Sequence, residues 1–296
     1  MRWALGLVAA WLIVGVGSAS AGPQRLGVIW QHGNRAIVVT ECPPGGDHDE
    51  WCRSVAVRVG SETRRLGSGY LAVSILQQGG RNRPDVLVLG DMGGSGSDGS
   101  LFAVTFAPRL SVRQLSGERI GSVVTQPRSQ PFAFNLPFNI EYFNNAPHAG
   151  VVIVPIPISW TGGDFALDMA TLTHRQMSRK TMDRRAMMIR RDFDRWVADV
   201  GPTSRLYPPQ PAYGTSGAAH ALTELILSGH ADQARRLLHE RWPRGSGGRR
   251  LGGEVAFWSG LCHAIVEHPW WSRFRMKRLP HADLVLVGAA GFVPDR

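Results

Sequence analysis

The segment Val151–Val200, VVIVPIPISWTGGDFALDMATLTHRQMSRKTMDRRAMMIRRDFDRWVADV, decides the fold, because its hydrophobic period changes along its length. Val151–Ile158 is a short β-branched run, and Pro155 and Pro157, two apart, lie on one side of a strand. Prolines donate no ladder hydrogen bond, which assigns that end of the strand to a sheet edge. From Thr181 onward, Met182, Ala186, Ile189, Phe193, Trp196 and Val200 recur at spacings of three and four, forming one apolar helical stripe. Arg184, Arg185, Arg190, Arg191 and Arg195 fall largely off that stripe. Thr181 and Asp183 suit a helix start, and Gly201-Pro202 stops the helix.

Toward the N-terminus the chain reads as strands: Leu26–Trp30, Ala36–Glu41, Ser54–Val59, Tyr70–Leu76, Asp85–Leu89, Leu101–Phe106 and Asn139–Phe143. Gly, Pro, Asn and Ser clusters punctuate most of them. Ser54–Val59 alternates strictly and predicts one wet face. No helical pattern interrupts this half, which favours antiparallel structure over βαβ winding. Toward the C-terminus, Tyr207–Pro211 reads as an extended linker, and helical blocks follow at Ala218–Trp242 and Glu254–Glu267. Arg244–Arg250 joins them as a flexible connection. The tail Asp283–Val293 is apolar but only eleven residues long, a packed strand or cap and too short to span a membrane. The expected class is α+β: an antiparallel β-rich domain at 22–168, a sandwich or small barrel, then a helical domain at 169–296.

Residues 1–21, MRWALGLVAAWLIVGVGSASA, carry Arg2, an uncharged apolar core at Trp3–Val16 and a small-residue exit. That is the form of a cleaved secretory signal peptide; the rival reading, an uncleaved membrane anchor, needs a longer apolar run than this, and no transmembrane segment is expected once the peptide is removed. Neither a lipoprotein cysteine nor a twin-arginine pair accompanies it. Export to a periplasmic or extracellular compartment makes Cys42 and Cys52 a structural disulfide across CPPGGDHDEWC. Closing so short a loop contributes roughly 2.5–3 kcal/mol. Cys262 lies in an apolar helical stretch and reads as a buried free thiol.

With 43% hydrophobic and 19% charged residues, the chain has the composition of a folded protein, which excludes a disordered one. Its net charge is +10, and Lys180 and Lys277 are its only lysines. Export argues against nucleic acid as a partner. An exported arginine-rich surface, including Arg184 and Arg191, meets anionic head groups or envelope polymers instead, or is simply solvated.

The Gly90–Ser100 loop, GDMGGSGSDGS, places Asp91 and Asp98 seven apart with carbonyls and hydroxyls between them. It can wrap a hard cation such as calcium, present amides to an anion, or simply join two strands. Its Asp/Gly spacing resembles the hairpins of integrin-like calcium-binding propeller repeats, in a single copy without their Asp ladder. No other cofactor is indicated. Gly93–Ser100 does not satisfy G-x-S-x-G, and His263 and His268 are five apart, off the spacing for two ligands on one helix face.

Leu136–Asp168 supplies the candidate site. A hairpin through Asn144–Gly150 gathers Glu141, Asn144, Asn145, His148, Trp160 and Asp164 at one sheet end. Glu141 and His148 are the acid–base candidates there, with Trp160 as a stacking platform for a sugar. The same residues also serve as turn chemistry and a strand end.

Ala218–Pro243 resembles a tetratricopeptide-type helical hairpin, on Leu222, Leu225, Gly229, Ala234, Leu238 and Pro243. As a whole, the chain resembles an exported proteobacterial family without an assigned activity. Phe138–His148 with Gly150, Trp160–Asp164 and Ser228-Gly229-His230 leading to Trp242-Pro243 carry that resemblance. It implies architecture and transfers no catalytic residues. The reading that follows is a non-catalytic periplasmic protein binding an envelope protein or anionic envelope component through its helical region. The alternative is an envelope hydrolase acting on a glycan or anionic substrate at the end of the β domain, around Glu141, His148, Asp91 and Asp98.

Overall fold

The computed structural model describes residues 26–42, 52–78, 83–93, 98–117, 119–122, 124–125, 133–141, 151–173, 178–199, 215–245, 248 and 253–292. The expected leader, the loop core at 94–97, His148 and the linker at 207–211 lie outside them.

Antiparallel hairpins build the first sheet in chain order: β1 (Gly27–His32), β2 (Arg35–Glu41), β3 (Arg53–Val59) and β4 (Glu62–Tyr70). Gly33-Asn34 closes the first hairpin between His32 and Arg35, with Gly33 at φ 60°, a conformation glycine adopts without penalty. Cys42 and Cys52 extend the β2–β3 ladder. The Cys42 N–H donates to the Cys52 carbonyl at 3.2 Å, and the expected disulfide joins the two side chains across a Cα separation of 5.4 Å. The outer face of β3 is drier than its alternation predicts, because Ser54 is buried and its Oγ donates to the Gly67 carbonyl.

The second sheet is β5 (Ala72–Gln78), β6 (Val86–Gly93), β7 (Asp98–Thr105) and β8 (Ser111–Gly117), again in chain order. Its central strands are apolar on both faces. Val86, Val88, Phe102 and Val104 pack with Ile37, Val39, Val55 and Val57 of the first sheet. Leu87, Leu89, Leu101 and Ala103 belong to a second core shared with the third sheet and the helices. A sheet covered on both sides needs such unbroken apolar runs.

β9 (Val124–Thr125), β10 (Ala133–Ile140), β11 (Val152–Thr161) and β12 (Asp164–Leu167) form the third sheet, in the order β12-β11-β10-β9. Pro137 stands opposite Pro155. Neither has an N–H, so this rung is a non-hydrogen-bonded pair, and Pro155 and Pro157 face away from β10. On that side β12 pairs only with residues 158–161. The edge expected from the prolines is therefore real for the first half of β11, while the second half is interior. All three sheets are open among the described residues, so the architecture is α+β with packed sheets and no closed barrel.

Helices α1 (Met169–Thr173), α2 (Arg179–Asp199), α3 (Thr215–Leu227), α4 (Ala231–Arg241), α5 (Glu254–Glu267), α6 (Pro269–Arg273) and α7 (Ala282–Ala290) follow. Asp168 caps α1 by accepting the Thr171 N–H at 2.9 Å. α2 starts two residues before Thr181, where the Ser178 hydroxyl accepts the Thr181 N–H. α3 and α4 pack together, joined through Gly229 at φ 79°. The tail, expected as a strand or cap, is helix α7. Gly288 lets it approach α5 so closely that a Cβ there would lie 2.7 Å from Cys262 Sγ. Burial pushes the Cys262 thiol up to about 12, which keeps it protonated. No described helix is long and apolar enough to cross a membrane.

Candidate functional site

Glu141 immediately follows β10, at the sheet end where the sequence places it. Its Oε1 takes the Nε–H of Arg119 at 3.0 Å, and both side chains are 13% exposed. Arg119 precedes a short 3-10 turn, η1 (Ile120–Ser122), which packs against β6, β7 and β10. Asn139, buried on β10, donates from Nδ2 to the same Glu141 oxygen at 3.5 Å, and its Oδ1 meets His268 Nε2 at 3.5 Å. Both contacts are at the long limit for hydrogen bonds.

His268 comes from the other end of the chain. It caps α6, its Nδ1 accepting the Trp270 N–H at 3.1 Å, so the proton of the neutral ring sits on Nε2, facing Asn139. The imidazole stacks on Phe138 with centroids 4.0 Å apart and planes 24° apart. Burial pushes its pKa down to about 4, so the ring is neutral at ordinary pH. The cluster is therefore a carboxylate compensated by a guanidinium, linked through an amide to an uncharged imidazole. The sequence pattern pairs Glu141 with His148, which lies outside the described residues, and His268 carries no metal-ligand spacing to single it out. The His268-Pro269 helix start was the local signal available for it.

Trp160 and Asp164 do not join Glu141. The two strands pair antiparallel, with residues 142–150 outside the described residues, but Ile140 pairs with Val152 at one end and Ala133 with Ser159 at the other. Eight residues of strand separate Val152 from Trp160, about 26 Å at the usual rise. Trp160 instead meets Phe165 edge to face at 5.3 Å, and Asp164 pairs with Arg273 at 2.8 Å. Trp160 is a packing residue here.

Asp91 stands opposite Gly99, and Asp98 opposite Gly93. Neighbouring strand residues point to opposite faces, so Asp98 leaves the sheet on the side away from Asp91. Asp91 Oδ1 accepts the Gly93 N–H at 2.8 Å. Among the described residues, no group of three or more His, Cys, Asp or Glu is placed to hold a metal ion. The Asp91 rung does reach the Glu141 neighbourhood: a Cβ on Gly99 would lie 3.4 Å from the Gly121 nitrogen of η1.

The arginines of α2 divide by face. Arg185 is buried and binds Glu224 of α3 at 2.5 Å. Beside this pair the His220 pKa is pushed down, chiefly by burial; Glu224 opposes the shift and Arg185 adds to it. Burial raises the Asp192 pKa; backbone N–H bonds from Ala218 and Gly217 and the nearby charges of Arg195 and Arg191 oppose the shift. Arg184 and Arg191 point to solvent, and neither has a salt bridge among the described residues. The exposed Arg190 is paired with Asp194 at 2.9 Å.

No protein-family model, curated protein or solved structure matches the chain.

Proposed function

We propose that the chain is an exported, non-catalytic protein of the cell envelope that binds an anionic envelope component through its helical region. The observation that carries this reading is the solvent-facing cationic side of α2, where Arg184 and Arg191 stand without salt bridges among the described residues. Helices in water normally set acids four residues from their cations, as Arg190 and Asp194 do. Arg191 feels the half-buried Asp192 and Arg184 stands away from it, so the exposed side keeps a cationic excess complementary to an external anion. The leader-like residues 1–21 and the Cys42–Cys52 bridge support an oxidising, periplasmic working place. Cell fractionation, with determination of the mature N-terminus, tests the address: recovery from the periplasm beginning at Gly22 supports it, and an intact Met1 in the cytoplasm refutes it.

One observation favours a second reading, an envelope hydrolase acting on a glycan or anionic substrate: Glu141, Asn139 and His268 form a connected chain beside the Asp91 rung. That reading requires Glu141→Gln to abolish release of soluble fragments from isolated envelope polymer while leaving the melting temperature nearly unchanged. Against it stands the Arg119 ion pair, which holds Glu141 as a compensated carboxylate.

A further inference from the structure

We infer that α2 is an interfacial docking face for an anionic phospholipid bilayer, a partner class that deepens the envelope-binding reading and rests on it. At about 100° per residue, Lys180, Arg184, Met187, Met188, Arg191 and Arg195 fall within one arc of about 100°. All six are exposed, Met187 at 65% and Met188 at 39%. No acid falls inside the arc: Asp183 and Asp194 lie beyond one edge, Asp194 engaged by Arg190, and Asp192 lies beyond the other, half-buried against α3, where it attracts Arg191 and Arg195 from the side without a salt bridge to either among the described residues. The opposite side of the helix carries Ala186, Ile189 and Phe193, all buried. The core therefore fixes the rotation of α2 and holds the arc outward. From Lys180 to Arg195 the row runs about 22 Å along the helix axis.

Two large apolar side chains inside a row of four cations match a bilayer surface better than a soluble polyanion. Lipid phosphates compensate the arginines and the lysine, while the two thioethers enter the acyl boundary beneath them. A soluble polyanion leaves Met187 and Met188 in water. Other surface features offer half of this pattern. Arg275, Lys277 and Arg278 are exposed, but their neighbours Trp271, Phe274 and Met276 are buried. α7 exposes Leu286 and Val287 with no cation on the same helix.

The test compares the purified protein with two variants, Arg184→Gln/Arg191→Gln and Met187→Gln/Met188→Gln. Each is titrated with phosphatidylglycerol vesicles, phosphatidylcholine vesicles and inorganic polyphosphate, with circular dichroism to verify folding. The wild type binds phosphatidylglycerol vesicles and leaves phosphatidylcholine vesicles unbound. The methionine variant loses about tenfold or more in vesicle affinity while its polyphosphate binding is unchanged. The arginine variant loses about tenfold or more on both anionic ligands. Wild-type vesicle affinity in the methionine variant overturns lipid docking and leaves the anionic reading standing. Failure of the wild type to bind vesicles or polyphosphate overturns both.

Discussion

The imidazole of His268 lies flat against the ring of Phe138, with centroids 4.0 Å apart, and thereby ties the start of α6 to the centre of β10. The contact also takes the imidazole out of water, which gives it a pH signature. Burial lowers the folded-state pKa to about 4, from the ordinary histidine value of 6.5. Between those values the unfolded chain binds the extra proton, so stability is complete above about pH 6.5 and falls as the pH drops toward 4. Urea denaturation across this window should show about 2–3 kcal/mol of loss from this group. His268→Asn, which keeps a helix-capping acceptor, should flatten that component and leave the smaller part due to His220. An unchanged pH profile in the variant would show that His268 is not titrating in a buried setting.

Breaking the Arg185–Glu224 pair should hurt more than breaking a surface pair. Arg185→Met strands a half-buried carboxylate between α2 and α3 and should cost about 2–4 kcal/mol by chemical denaturation. Arg190→Ala removes a pair whose two side chains are each 53% exposed, and should change stability by less than about 0.5 kcal/mol. Equal effects would contradict the division of the α2 arginines into inner and outer sets.

Tyr70 fills a slot whose walls are glycines: a Cβ on Gly90 would lie 2.7 Å from its ring, and one on Gly67 would lie 2.3 Å from its hydroxyl. The ring is buried between the first two sheets and cannot swing aside. Gly90→Ala should therefore destabilise the protein by about 1–3 kcal/mol through overpacking. A neutral result in a thermal or urea melt would mean that the sheets can separate locally at little cost.

Replacing Cys42 and Cys52 together by serine should remove roughly 2.5–3 kcal/mol, the chain-entropy contribution of so short a loop. Dithiothreitol should lower the stability of the wild type by a similar amount and leave the double variant unaffected. Equal sensitivity of the two proteins to reductant would argue against a bridge in solution.

The strands that the sequence left unread, β4, β8, β9 and β12, all lie at sheet edges. Edge strands carry polar and charged residues, as in Glu62–Leu66 of β4, and so lack the apolar run that marks an interior strand. β10 was read too late in the chain because Pro137 sits inside it, tolerated there by its non-hydrogen-bonded place opposite Pro155. The α2 stripe was legible because three of its residues, Ala186, Ile189 and Phe193, are core. Arg185 was not separable from Arg184, since which neighbouring arginine turns inward depends on where Glu224 of α3 arrives. The link from Glu141 to His268 was invisible for the same reason: only the packing of α6 on β10 brings them near Asn139.

Titration of the purified protein onto isolated cell envelopes across a salt series measures whether the exposed arginines of α2 hold it there. Saturable binding is expected at low salt, weakening steadily as salt rises, with much weaker, flatter binding by Arg184→Gln/Arg191→Gln. Binding that ignores salt, or a double variant that binds as the wild type does, would contradict envelope binding through α2.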